Sequence, residues 1–260
     1  MGVRGLQRGA TAVSESPAQL GAPDCAAPPI PQTPLREAPL IRHLGLAPYE
    51  GTWRAMQRFT DERGASTREE IWCLEHPPVF TLGLNASRAH LLAPGDIPVV
   101  QIDRGGQVTY HGPGQLVIYP LIDLRRHALG VRKLVVALEN AVIAYAAELG
   151  VTARGSRNAP GVYVGDAKLA SVGLRIRRGS SYHGMALNVS LDLEPFRRIN
   201  VCGHPGLQAT RLCDLCAVRE PAAAAAGLVP HLLREMGFEH AGAQRPHSAI
   251  NTALQAVSSR

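Results

Sequence analysis

The sequence predicts an α+β domain built on a mixed sheet, and its patterning says so in two ways. Strand signals come in runs, over 98–121 and again over 162–191, and do not alternate one for one with helices. Helical periodicity is confined to three separate stretches, near the start, the middle and the end of the patterned region. Within the first run lies the segment Arg104-Gly-Gly-Gln-Val-Thr-Tyr-His-Gly-Pro-Gly-Gln115. Its four glycines and one proline are too many for a packed helix or a plain strand, since each glycine costs about 0.5–1 kcal/mol relative to alanine in a regular element. Gly105 and Gly106 are expected to open the backbone to a ligand, and Gly112-Pro113-Gly114 to force a tight turn. Arg104, Thr109, Tyr110, His111 and Gln115 surround that backbone with hydrogen-bonding groups, a composition suited to a small ligand with one polar end. A glycine-rich hairpin without a ligand is the plainer reading of the same residues.

The elements follow in order. The first 38 residues are rich in Ala, Pro, Gly and Gln, lack a hydrophobic period and close on a proline cluster ending at Pro34. Such a stretch cannot bury enough surface to offset the entropy of ordering, so residues 1–38 are expected to be disordered, with the true start downstream of Met1. Glu15 and Asp24 argue against a transit peptide. A strand is expected over 41–46, then an amphipathic helix over 49–63 with Trp53, Met56 and Phe59 toward one side, then a strand over 70–74. The paired prolines of 75–83 read as a turn, because proline cannot donate to a central ladder. Strands over 98–102 and 116–121 flank the glycine-rich segment. The best helix spans 132–149, with Leu134, Val135, Leu138, Val142, Tyr145 and Leu149 near helical spacing and Gly150 past its end. Strands over 162–164, 168–175 and 183–191 are separated by turns at Gly165-Asp166 and Gly179-Ser180-Ser181. A last helix over 221–236 is expected to bend at Pro230, and the tail 239–260 to be flexible. One catalytic domain over 39–238 is the resulting division.

Bulk composition excludes several classes. With 260 residues and 45% apolar content the chain can fill a real core. Its longest apolar run, 134–149, is broken by Glu139, Asn140 and Glu148, which is wrong for a span of about 20 apolar residues. The N-terminus carries no secretory h-region, and Leu6 stands where myristoylation needs Ser or Thr, so a cytoplasmic protein is expected. Five cysteines, Cys25, Cys73, Cys202, Cys213 and Cys216, are few, odd in number and unevenly spaced, as for reduced thiols. The formal charge of +6 lies wholly beyond Leu40, because Arg4, Arg8 and Arg36 balance Glu15, Asp24 and Glu37. Arg154, Arg157, Arg175, Arg177, Arg178, Arg197 and Arg198 suit an acidic partner surface, while no aromatic interleaving or known module points to nucleic acid.

Two residues outside the glycine-rich segment can do chemistry. Cys202 precedes Gly203, a place where a side chain is presented and not buried. A cysteine attacks as its thiolate, which a nearby cation favours. Lys168 is the candidate cation; strand alternation leaves open whether it faces inward or outward. Each alone reads more readily as structural, a half-buried thiol and a surface lysine. Cys213 and Cys216 have CxxC spacing without a second pair, so buried structural thiols are expected, not a metal site. His111, His183 and His204 could serve as bases, with structural hydrogen bonding the default. Walker, HExxH, GxSxG and dinucleotide fingerprints are absent.

Four stretches taken together, 104–115, Lys168-Leu-Ala-Ser171, Gly184-Met-Ala-Leu-Asn188 and Asn200-Val-Cys202-Gly203, resemble the lipoyl(octanoyl) transferase family. The resemblance covers roughly 40–238. It implies the mixed-sheet fold shared with biotin and lipoate protein ligases, without an ATP site, cofactor or metal. It implies octanoyl acyl carrier protein as donor, and as acceptors the lipoyl domains of 2-oxoacid dehydrogenases and the H protein of glycine cleavage. Position by position it implies Cys202 as the thioester-forming nucleophile and Lys168 as its proton-moving partner. It also implies substrate binding by Arg104, Gly105, Gly106, Gln107, Val108, Thr109, Tyr110 and His111, by Ser171, Val172 and Gly173, and by Gly184, Met185 and Ala186. Two residues depart from the pattern: Val201 stands where proline is expected before the cysteine, and Arg211 where serine is usual. Three other readings remain: an ATP-dependent ligase on the same fold, which needs no nucleophilic cysteine, a non-catalytic carrier-binding module, and a nucleic-acid-binding protein. The transferase reading requires the Lys168 and Cys202 side chains to meet within hydrogen-bond reach.

Overall fold

The structure is a computed structural model and describes residues 37–156 and 159–238. The expected disorder of the first residues, the flexible tail, Cys25 and Arg157 fall outside the described residues, apart from positions 37 and 38. The chain order is β1 (Leu40–Leu46), α1 (Tyr49–Glu62), β2 (Glu70–Glu75), β3 (Val79–Leu82), β4 (Val99–Gln101), β5 (Val108–His111) and β6 (Gln115–Leu121). There follow α2 (Val131–Glu148), β7 (Arg154–Gly155), β8 (Gly161–Val164), β9 (Ala167–Arg177), β10 (Ser180–Asn188) and α3 (Pro221–Glu235).

Seven strands form the larger sheet in the order β1-β2-β6-β10-β9-β8-β7. Its β1–β2 pair is parallel and its other pairs antiparallel, so the mixed sheet expected from the sequence is present. β6, third in that order, is buried along its whole length. Its alternation explains why: Leu116 and Ile118 join the cluster beneath α2 and α3, while Val117, Tyr119 and Leu121 join the cluster that holds Met56 of α1. In α2, Leu134, Leu138, Val142 and Tyr145 are buried at helical spacing, and Gly150 takes φ 76 just past the end. Helix α3 starts with Pro221 in its first turn and continues through Pro230. None of the described helices is long and apolar enough to cross a membrane.

A second sheet, β4-β3-β5, corrects two sequence expectations. The 75–83 segment is not merely a turn: β3 is its central strand, parallel to β4 and antiparallel to β5. Pro77 and Pro78 end before the ladder begins, so their missing donors cost nothing there. Within the glycine-rich segment, 108–111 is a strand; the glycines flank it. The expected tight turn does close there, with Gln115 N–H on the Gly112 carbonyl at 3.2 Å. Ser180 and Ser181 likewise belong to β10 and not to the preceding turn.

Candidate active site

Strand alternation in β5 divides the glycine-rich segment between two jobs. Val108 and Tyr110 point into a cluster with Phe80, Leu82, Phe196, Ile199 and Val201, against which Cys202 packs. Thr109 and His111 point the other way, into a cavity of about 400 Å³. Arg104, Gly105, Gly106 and Gln107 line that cavity as well, and Gly106 takes φ 88, a left-handed conformation that glycine adopts at no steric cost. Opposite them, Ser171, Val172 and Gly173 of β9 lie in register with Ala186, Met185 and Gly184 of β10, so antiparallel pairing fuses two distant stretches into one cavity wall. Of the residues proposed from sequence to bind substrate, Val108 and Tyr110 alone do not line the cavity.

Cys202 sits at the cavity in the short 3-10 turn Val201–Gly203 with φ 53, a left-handed conformation that a non-glycine residue adopts only when held. What holds it is on either side: Val201 is buried, Gly203 N–H reaches the Asn200 carbonyl at 2.8 Å, and Asn200 N–H reaches the His90 carbonyl at 2.8 Å. Valine thus serves as the buried anchor before the cysteine.

Lys168 faces inward and is 2% exposed. Its backbone is fixed to the following loop, N–H to the Gln208 carbonyl at 2.8 Å and carbonyl to Thr210 N–H at 3.0 Å. Its ammonium donates to the Pro160 carbonyl at 3.0 Å and to Cys202 Sγ at 2.9 Å, with the Tyr163 ring 5.2 Å away. A charge is costly to bury without partners, so a lysine held here is placed for its ammonium and not for packing. The contact that the transferase reading requires is present.

The chain carries the lipoyl protein ligase A/B catalytic domain, whose profile matches residues 48–230. It is 59% identical over 188 residues to the octanoyltransferase of Alkalilimnicola ehrlichii, covering 72% of this chain and 86% of that one. Against the octanoyltransferase of Methylococcus capsulatus it is 57% identical over 207 residues, 78% of this chain and 99% of that one. It belongs to the octanoyltransferase family. The fold of this octanoyltransferase-family chain is also that of a bi-partite lipoate protein ligase from Thermoplasma acidophilum, with TM-score 0.59 and 13% identity over 76% of this chain and 84% of that chain.

Beneath the cavity the octanoyltransferase-family chain holds a buried polar floor that sequence reasoning missed. Asp103 accepts from Trp53 Nε1 at 2.8 Å, Gln57 Nε2 at 3.2 Å, His183 Nε2 at 2.9 Å and the Tyr182 hydroxyl. Burial alone would raise its carboxyl, but the His183 and Tyr182 hydrogen bonds hold it well below the usual carboxylate range. His76 lies between the Ala47 carbonyl at 2.7 Å and the Tyr119 hydroxyl at 2.8 Å, and burial pushes it down to about 4. Since a carbonyl only accepts, its Nδ1 carries the proton and its Nε2 accepts the hydrogen bond of the Tyr119 hydroxyl. Burial likewise lowers His111, 2.7 Å from Gln115 Oε1, and His183. Both are therefore neutral, hydrogen-bonded structural histidines. The buried Arg104 guanidinium donates to the carbonyls of Gly105 and Thr81, both at 2.9 Å, and to Thr81 Oγ1 at 3.0 Å. Asn188, which closes one of the resembling stretches, bonds the Thr210 carbonyl at 2.9 Å and receives Gln115 Nε2 at 3.0 Å, tying β10 to the loop that fixes Lys168. A strand-end Asp beside Arg104 and the Tyr182-His183 pair were the available sequence signals for this floor.

The remaining candidates stand apart from the cavity or at its edge. Cys213 and Cys216 are free and half-buried, and no metal-binding cluster occurs among the described residues. His204 is exposed at the rim. The arginines expected to form a basic surface are partly neutralised, Arg154 by Asp166, Arg177 by Asp61 and Arg198 by Glu194.

Proposed function

We propose that this chain moves an octanoyl group from octanoyl acyl carrier protein, through a thioester on Cys202, to the lysine of a lipoyl domain, the first step of protein lipoylation. The observation that carries the reading is the 2.9 Å approach of Lys168 Nζ to Cys202 Sγ at the edge of a largely apolar cavity. In the first step the Cys202 thiolate attacks the carbonyl carbon of the donor thioester. The carrier sulfur leaves and takes a proton from the Lys168 ammonium, giving carrier thiol, acyl-cysteine and a neutral lysine. In the second step the acceptor amine attacks the acyl-cysteine, Lys168 takes the amine proton, and Cys202 leaves as thiolate beside a restored ammonium. Splitting acyl transfer this way replaces one difficult step with two easier ones.

The cavity supports the same reading. Val117, Val131, Val135, Val172, Leu174 and Met185 present apolar surface to an acyl chain. Burying seven methylene-like carbons at about 0.8 kcal/mol each contributes several kcal/mol before ordering costs. At about 400 Å³ the space takes an acyl group and excludes a protein domain, so both carriers deliver their arms from outside. Acyl carrier protein as donor, and lipoyl domains of 2-oxoacid dehydrogenases and the glycine cleavage H protein as acceptors, complete the proposal. It assigns the activity to a domain over 39–238, with no cofactor, in the cytoplasm.

Intact-protein mass spectrometry tests this directly. Mixing the protein with octanoyl acyl carrier protein should add an octanoyl group at Cys202, absent in Cys202→Ala, that passes to a lipoyl-domain lysine on addition of that domain. Octanoylation that needs ATP and survives Cys202→Ala would replace the proposal with a ligase. Acylation of neither protein would leave a binding module.

A further inference from the structure

We propose that Glu139 is a positioning residue for the Lys168–Cys202 pair, acting from α2 through the single peptide unit between Pro160 and Gly161. The inference rests on the transfer reading and deepens it. A trans peptide points its C=O and N–H in opposite directions. Here both ends are taken: the Gly161 N–H donates to Glu139 Oε1 at 2.7 Å, and the Pro160 carbonyl accepts the Lys168 ammonium at 3.0 Å. The carboxylate therefore clamps one side of a rigid plane whose other side holds the lysine on the sulfur. Polarisation adds to this, because an anion accepting the N–H makes the carbonyl of the same unit a better acceptor.

Three further observations bear on the clamp. Glu139 interrupts the apolar run of α2 and is half-buried, a placement that burial penalises. Burial raises its carboxyl, and the Gly161 N–H and the charge of Lys168 act against that shift. Gly161 has φ 138, and a Cβ there would lie 2.6 Å from Lys168 Cε and 3.1 Å from its Nζ, so the peptide unit packs directly on the lysine stem.

The clamp matters most between the two steps. While Lys168 is charged, attraction to the thiolate itself keeps Nζ in place. Once it has given its proton away and Cys202 is acylated, that attraction is gone, and a neutral amine on a flexible four-carbon stem is held by the Pro160 carbonyl. Loss of Glu139 should therefore slow transfer to the acceptor more than it slows loading.

Single-turnover kinetics on the full chain separates these. Loading from octanoyl acyl carrier protein and transfer from the isolated acyl-enzyme to a lipoyl domain are timed separately, each normalised to the fraction of loadable Cys202. Glu139→Ala should lower the transfer rate about tenfold, the size of one hydrogen bond to a charged acceptor, with a smaller fall in loading and an unchanged KM for the lipoyl domain. Glu139→Gln, which keeps an acceptor for Gly161, should restore most of the rate. Equal falls in both half-reactions, no fall in either, or a Gln variant as slow as Ala would each overturn the proposal. Should Glu139→Ala not fold, Glu139→Asp, too short to keep the 2.7 Å bond in place, takes its role with the same readings. Wild-type protein that fails to load would refute the transfer reading instead. The clamp is then judged by iodoacetamide alkylation of Cys202: slower modification in Glu139→Ala upholds it, and an unchanged rate rejects it.

Discussion

His183 reaches Asp103 from a left-handed backbone: its φ is 56 and its Nε2 lies 2.9 Å from Asp103 Oδ1. Such a conformation costs about 1–3 kcal/mol at a non-glycine residue and persists only when its surroundings hold it. Asp103 supplies the hold, and through Trp53 and Gln57 it also ties α1 to the residue before Arg104. One carboxylate thus ties α1 and β10 to the loop that opens the glycine-rich segment.

Asp103→Asn should lower stability by about 1.5–3 kcal/mol, the range for hydrogen bonds to a charged group. Urea unfolding measures it. Because the folded carboxyl is held below its unfolded value, its contribution is present above the ordinary carboxylate range and is lost as pH falls below about 4. The variant should lack that part of the acid sensitivity, and an unchanged acid limb would count against the role given to Asp103.

Stability should also fall between neutral pH and pH 5, by the same linkage acting at different groups. His76, His111 and His183 are neutral in the folded state and held below their ordinary value by burial. Above about pH 6.5 neither state binds protons at these sites; below it the unfolded chain does and the folded one does not. For His76 the loss accumulates down to about pH 4. Denaturant midpoints should drop with a slope of more than one proton, and a flat profile from pH 7 to 5 would contradict it.

Adjacent residues of β5 should respond oppositely. Tyr110→Ala removes a buried aromatic from the cluster with Phe80 and Phe196, at a cost of about 3–5 kcal/mol. Thr109 Oγ1 is buried without a partner, so Thr109→Val should leave stability unchanged or raise it by up to about 1 kcal/mol. Thermal unfolding of the two variants decides, and equal losses would mean that the alternation is misassigned.

Gly161→Ala should impair catalysis without replacing a reacting group. The added methyl meets the Lys168 stem and the Ala170 carbonyl, forcing Nζ away from Cys202. Octanoyl transfer should drop by about 10²–10⁴, the range for a lost acid–base group. In Lys168→Ala the same glycine substitution should cost little more, since the group it displaces is already gone. Additive losses in the double variant would show that Gly161 acts elsewhere.

Period and punctuation account for what could be read in advance. The three helices and most strands of the larger sheet were legible because their hydrophobic spacing reports burial directly, as Leu134, Leu138 and Val142 do in α2. β3 was not, because Pro77 and Pro78 dominate the local signal although the ladder starts after them. β5 was hidden by its flanking glycines. Glu139 and Asp103 show in the sequence only as a break in an apolar run and a carboxylate beside Arg104; each matters through a partner far away in sequence.

Residue type and order by themselves determined the chemistry available to this protein: a thiol before glycine, a lysine opening a strand, and a glycine-rich stretch stripped of side chains. They also determined the mixed-sheet class, since periodicity is a local property of the chain. Only tertiary structure decided that Lys168 faces inward and meets Cys202 at 2.9 Å, that Val108 and Tyr110 turn away from the cavity while Thr109 and His111 face it, and that a carboxylate in α2 secures the lysine. The physical reason is the same in each case. Strand pairing and register set which face a side chain occupies, and contacts between residues tens of positions apart depend on how elements pack, which no local pattern encodes.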